Sequence, residues 1–166
     1  MNLKLSGRCI LRAWEPGELE YHLSHGLSLR QAMRQSVCKN EQASHNIIVL
    51  LGKELIADFL IGVAPGALSY CAIGTGVADP TPGDTILGTE TYRQAWGTRT
   101  RYANGITLDA LVMVAHCSIV IQEGGVFGGA ATGAADSGTL YAHFLQYYDN
   151  TATPQDLTFE YQGTIG

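Results

Sequence analysis

The chain is short of charge. Lys, Arg, Asp and Glu make up 15% of its 166 residues, against 46% hydrophobic. That balance excludes a disordered chain, which needs the reverse, and suits a protein that buries much of its surface or meets copies of itself. Long apolar runs are also missing. The best stretch, Ile47 to Val63, is interrupted by Lys53, Glu54 and Asp58, and a bilayer span needs roughly 18 apolar residues. The opening MNLKLSGRCILRAWEPGE has no sustained apolar core of the signal-peptide kind, so synthesis in a cytoplasm is expected. Cysteine is scarce: Cys9, Cys38, Cys71 and Cys117 form no CxxC pair, which argues against structural zinc. Cys71 and Cys117 lie in apolar runs and read as small buried hydrophobes. The net charge of −5 does not favour nucleic acid as a partner.

Several catalytic signatures are absent as well. The stretch GTGVADPTPGD (74–84) follows an apolar run as a phosphate loop would, but no Lys-Ser/Thr follows it. Asp79 stands where a dinucleotide fingerprint needs its third glycine. Gly74 and Gly76 are therefore expected to be tight-turn residues, with Pro80 and Pro82 stiffening the loop. There is no GxSxG to mark a nucleophile. His116 and His143 fall in strand-like runs and read as half-buried sheet residues. His22 and His25 could share a helix face, but no third metal ligand accompanies them. Glu123, beside Gly124-Gly125, could be a catalytic or metal-binding acid; the favoured reading is a strand-end carboxylate next to a β-bulge. The group Phe144, Tyr147, Tyr148, Phe159 and Tyr161 suits either a sugar-stacking face or core and interface packing.

What is present is a change of period along the chain. Residues 1–44 hold six Lys/Arg and four Glu, a net of +2, and residues 45–166 hold four Lys/Arg and eleven Asp/Glu, a net of −7. This suggests a basic, partly helical arm (1–44) on an acidic body (45–166). In the arm, SLRQAMRQSVCKN predicts a helix capped by Ser28, with Leu29, Met33 and Val37 as an apolar stripe. SHNIIVLLGKELIADFLIG (44–62) predicts a second helix ending at Gly62. After Pro65 the period becomes two. LSYCAIG, a hairpin turning at Asn104-Gly105, CSIVIQEGGVFGG, GTLYAHFLQYY and DLTFEYQGTI read as strands. No helix separates successive strands, which disfavours a parallel nucleotide-binding sheet. The fold expected is mainly β: an antiparallel β-sandwich or barrel-like body with one packed helix, plus the partly helical arm.

A family likeness runs across about residues 47–165. LLGKELIADFLIG, YCAIGTGVADPTPGDTILGTETYR, a strand pair around Asn104-Gly105, EGGVFGGAATGAADSGTLYAHF and an alternating last strand together resemble a recurrent family of tailed-phage virion proteins, often labelled tail-fibre-like. The motif AIGTG…P…DT.LGTE…R is its most specific part. This chain has Glu123-Gly124-Gly125 where the family has Glu-Ala-Gly, and its arm is longer. The resemblance implies a structural virion protein with no catalytic residues, no cofactor and no metal. A capsid decoration or cement subunit is expected, with a tail-fibre, baseplate or receptor-binding module as the alternative. The Gly/Ala-rich stretch Gly124 to Gly138 is the loop that would present to a receptor. A small cell-wall hydrolase using Glu123 is a third, weaker possibility. The partners expected are copies of itself, as trimer or dimer, and other virion proteins such as the major capsid protein, with neither nucleic acid nor membrane. Assembly contacts are expected from Arg8, Arg12, Trp14, Leu29, Met33, Val37, Tyr147 and Tyr148.

Overall fold

The computed structural model describes residues 4–166. In chain order it contains β1 (Leu5–Trp14), α1 (Glu18–Ser24), α2 (Leu29–Gln35), β2 (Asn40–Ile48), α3 (Leu50–Leu60), β3 (Tyr70–Gly74), β4 (Glu90–Ala95), β5 (Thr98–Tyr102), β6 (Gly105–Val112), α4 (Val114–Cys117), β7 (Val120–Gly128), β8 (Thr139–Asp149) and β9 (Asp156–Ile165). The strands form one antiparallel nine-stranded sheet in the order β4-β3-β7-β8-β2-β1-β9-β6-β5, curled into a half-barrel. This is the mainly β, barrel-like body expected from the sequence.

The curl follows from the chain itself. β4 and β5 are opposite edges of the sheet, yet only Trp96 and Gly97 connect them. Three Cα steps reach about 11 Å, whereas nine flat strands would hold their edges about 38 Å apart. The sheet must therefore bend until the end of β4 and the start of β5 come within that reach, and Trp96 is buried at the corner between them. β2 is the joint between the halves: Asn40–His45 pair with β1, and Asn46–Ile48 pair with β8. Side chains from both halves fill the concave side, among them Cys9, Leu11, Ile73, Val126, Phe144, Phe159 and Tyr161.

Period two puts the alternate residues on the convex side, which is covered in two places. Over β1, β6 and β9, the pair α1–α2 closes a cluster of Trp14, Leu19, Leu29 and Ala32. Over β3, β7 and β8, the segment 75–89 and the start of α3 close a second cluster containing Val49, Ala72, Leu87, Phe127 and Leu140.

Several expectations are corrected. The 1–44 segment is not an arm: β1 lies inside the sheet, hydrogen-bonded to β2 and β9, and β2 runs through the expected boundary. Its basic excess is matched within the chain. Arg12 bonds Glu41 and Glu160, and Arg30 bonds Asp109. The helix expected from Ser44 begins only at Leu50, because the β-branched run Ile47-Ile48-Val49 favours extended backbone. Ser28 does cap α2, in a reciprocal capping box with Gln31, but that helix ends at Gln35. The β5–β6 hairpin turns on Ala103-Asn104, not Asn104-Gly105: Tyr102 pairs with Gly105, and Ala103 alone has positive φ, at 36°.

α3 stands directly on the backbone of β8. A Cβ on Gly52 would lie 2.2 Å from the Tyr141 carbonyl oxygen. In an exposed helix Gly→Ala stabilises by about 1 kcal/mol. Here Gly52→Ala is expected to destabilise by about 1–3 kcal/mol, read as a lowered midpoint in urea; a raised midpoint would contradict the close approach.

Candidate functional site

The motif from Ala72 to Glu90 and the glycine pair after Glu123 belong to one structure. Glu123 is in mid-strand on β7, beside a register shift between Ile121 and Glu123, and its side chain is fully buried. A buried carboxylate is costly unless hydrogen bonds satisfy it. Segment 75–89 supplies them: the amides of Gly76 and Thr89 donate to Oε1 at 2.9 and 2.6 Å, and the amide of Gly88 donates to Oε2 at 2.9 Å. The glycines make room for this. A Cβ on Gly76 would sit 2.3 Å from Oε1, and one on Gly74 would sit 2.3 Å from the Thr89 carbonyl oxygen. Neither glycine has positive φ. They are present for close approach rather than as tight-turn residues, which corrects the expectation.

His143 on β8 completes the shell. One ring nitrogen, Nε2, lies 3.1 Å from Glu123 Oε2, and the other, Nδ1, lies 2.7 Å from Asp84 Oδ2. Asp84 is in turn tied to its own loop by the Thr81 amide and hydroxyl. Burial opposes the charged form of Asp84, but the bonds from Thr81 and His143 outweigh it and hold its pKa below the ordinary aspartate value. The chain Asp84–His143–Glu123 floors an open groove of about 380 Å³ walled by residues 78–88. It has the residue types of an acid–base relay, but such chemistry needs a ring nitrogen facing the reactant. Both nitrogens of His143 face carboxylates in this structure, and these contacts join the 75–89 segment to β7 and β8.

The remaining buried carboxylates act in the same way. Glu90 forms a two-pronged pair with Arg93, both buried. Arg93 lies over the Phe127 ring, 4.1 Å from its centroid, and donates to the Ser137 carbonyl at 2.9 Å. This pins the loop 129–138; Gly124–Gly128, expected in that loop, belong to β7. Asp109 accepts from Arg30 and Thr98, joining α2 to β5 and β6. Asp156 accepts the amides of Gly17 and Val114, each at 2.7 Å, at the starts of α1 and α4.

The eight expected contact residues do not form one surface. Trp14, Leu29 and Tyr148 are buried in this chain. Trp14 donates to the Thr158 hydroxyl and Tyr148 to Gln155. Met33 packs under α2 with Trp14 and Leu29. Arg12 is held by Glu41 and Glu160, and Arg8 bonds Gln162. Val37 and Tyr147 remain open to solvent. His116 stacks on Tyr92, and His25 lies against Tyr21. Among the described residues, no group of three or more His, Cys, Asp or Glu side chains is arranged to hold a metal, and no helix is long and apolar enough to cross a membrane. Cys9, Cys71 and Cys117 are buried and Cys38 is exposed; burial pushes the Cys117 thiol up to about 12. What the sequence reading missed is the pairing of Glu123 with His143, which only strand register brings together. No family model, curated protein or solved structure matches the chain.

A folded-state pKa below the unfolded one means that Asp84 stabilises the fold above the ordinary aspartate value, and that this is lost as pH falls through the depressed value. Asp84→Asn is expected to cost about 1–2 kcal/mol at pH ~5, with the gap to wild type closing as pH approaches ~2. Urea melts across that range measure it; a gap that widens in acid would contradict the linkage.

Proposed function

We propose that this chain is a structural protein of a tailed-phage virion, a capsid decoration or cement subunit that stabilises a shell through contacts between subunits. One observation carries the reading: the buried carboxylates Glu90, Glu123, Asp109 and Asp156 each grip the chain's own backbone or side chains. A fold with these four carboxylates turned inward to lock loops has a well-defined outer shape, and shape is what a cement subunit uses. Apolar burial of about 25 cal/mol per Å², summed over many shallow seams, resists internal pressure without a reactive group. The resemblance of the Ala72–Glu90 and Glu123–Phe144 motifs to tailed-phage virion proteins supports the same class. Its partners would be copies of itself and other virion proteins such as the major capsid protein, and its place would be the virion after synthesis in a host cytoplasm.

The second reading, a tail-fibre, baseplate or receptor-binding module, is favoured by one feature. The exposed Gly/Ala-rich loop 129–138 is held in a fixed shape from below by Arg93 and Glu90. A fixed exposed loop is suited to recognition.

Immunogold labelling of purified particles separates the two. Label over the head shell is expected, with loss of the protein lowering the temperature at which heads release DNA. Label confined to the tail would transfer the function to the second reading, and absence from particles would remove both.

A further inference from the structure

The face of α3 that meets β8 carries Leu51, Gly52, Leu55 and Ile56, all buried or half-buried. The same helical stripe continues one turn further to Phe59 and Leu60, where the body no longer lies beneath it. Phe59 is 71% exposed, Leu60 73%, Ile61 77% and Val63 50%. Fraying does not account for this. The Gly62 amide donates to Phe59 O at 3.2 Å, the Val63 amide donates to Asp58 O at 2.9 Å, and Gly62 has φ 84°. Those two bonds with a left-handed glycine make a Schellman cap, so the end is closed and held in shape. From Phe59 to Leu68 there is no charged residue.

Large apolar side chains at these exposures present on the order of 400–500 Å², the size of the largest apolar patch on a typical monomer, which is often functional. Two such ends face to face bury about 900 Å², and flanking helix surface brings the total to about 1,000 Å², the lower bound for a biological interface and the range of weak, reversible pairs. The rim of the patch carries both signs, with Lys53 beside Glu54 and Asp58. A twofold axis that sets two such helices antiparallel brings Lys53 of one copy toward the acids of the other. An anionic membrane favours a basic rim instead, and the chain is acidic overall.

We propose that Phe59, Leu60, Ile61 and Val63, at the capped end of α3, form the face by which two copies of this chain pair about a twofold axis. The partner class rests on the assembling-subunit reading above; the surface itself was not among the contacts expected from the sequence.

Sedimentation velocity on the full chain tests it. Wild type at tens of micromolar is expected at twice 17.8 kDa. The double variant Phe59→Ser, Leu60→Ser should be monomeric with an unchanged Tm, its dimer dissociation constant raised at least about 30-fold. Should that variant misfold, Ile61→Lys gives the same readout from one exposed position. A wild type that stays monomeric overturns the proposal, and so does a folded variant that stays dimeric. Flotation with phosphatidylglycerol vesicles adds a third arm: binding by a monomeric wild type, lost in the variant, would overturn it in favour of a membrane surface. A monomer found in virions would sink this pairing and leave the virion reading standing; a dimer absent from virions would do the reverse.

Discussion

A carboxylate cannot be enclosed in protein without donors, and the burial of Glu123 organises half of the molecule around that need. Three backbone amides and an imidazole converge on its two oxygens. Hydrogen bonds to a charged acceptor are each stronger than neutral ones; a neutral amide in its place would keep one, weaker, acceptor oxygen and set an NH2 group against the donors that now face the other oxygen. A segment of fifteen residues with little regular structure is thereby converted into a fixed lid over the β3–β7–β8 half of the sheet. Leu87, the apolar side chain that this segment contributes to the convex cluster, is held in place as a consequence.

The same logic recurs at Glu90, Asp109 and Asp156. Each fastens parts distant in sequence: a strand to a loop, a helix to a hairpin, two helix starts to the last strand. Long connections in a β protein are where mobility concentrates, and these four groups sit where such connections meet the sheet. The low overall charge is thus divided between a sparse exterior and an interior set of anchors. That division leaves the capped end of α3 as an uncovered apolar feature of the surface.

The strands after Pro65 were legible because one face of each had to be apolar, and period two survives in the sequence. The half-barrel was legible as a class but not in its closure, since the meaning of the two-residue Trp96-Gly97 link depends on knowing that β4 and β5 are opposite edges. β1 was lost to the arm reading. Arg8, Arg12 and Trp14 suggested an outward basic segment, whereas Arg12 is neutralised by Glu41 and Glu160 from neighbouring strands, contacts set by register. The motif AIGTG…DT.LGTE…R was visible, but its physical reason was not. Gly74 and Gly76 serve an acid 47 residues away from the second of them, and no local rule reports such a distance. Asp84, Glu90 and Arg93 likewise acquire meaning only from His143 and Ser137.

Amide hydrogen exchange at Gly76, Gly88 and Thr89 tests the central claim most directly. Gly88 and Thr89 are exposed residues whose amides point inward, so exposure and anchoring make opposite forecasts. If Glu123 is the anchor, these three amides exchange as slowly as those of β7 and β8 in the wild type and at least about 30-fold faster in Glu123→Gln, the equivalent of ~2 kcal/mol. Exchange at open-loop rates in the wild type, or protection unaltered by Glu123→Gln, would contradict the account.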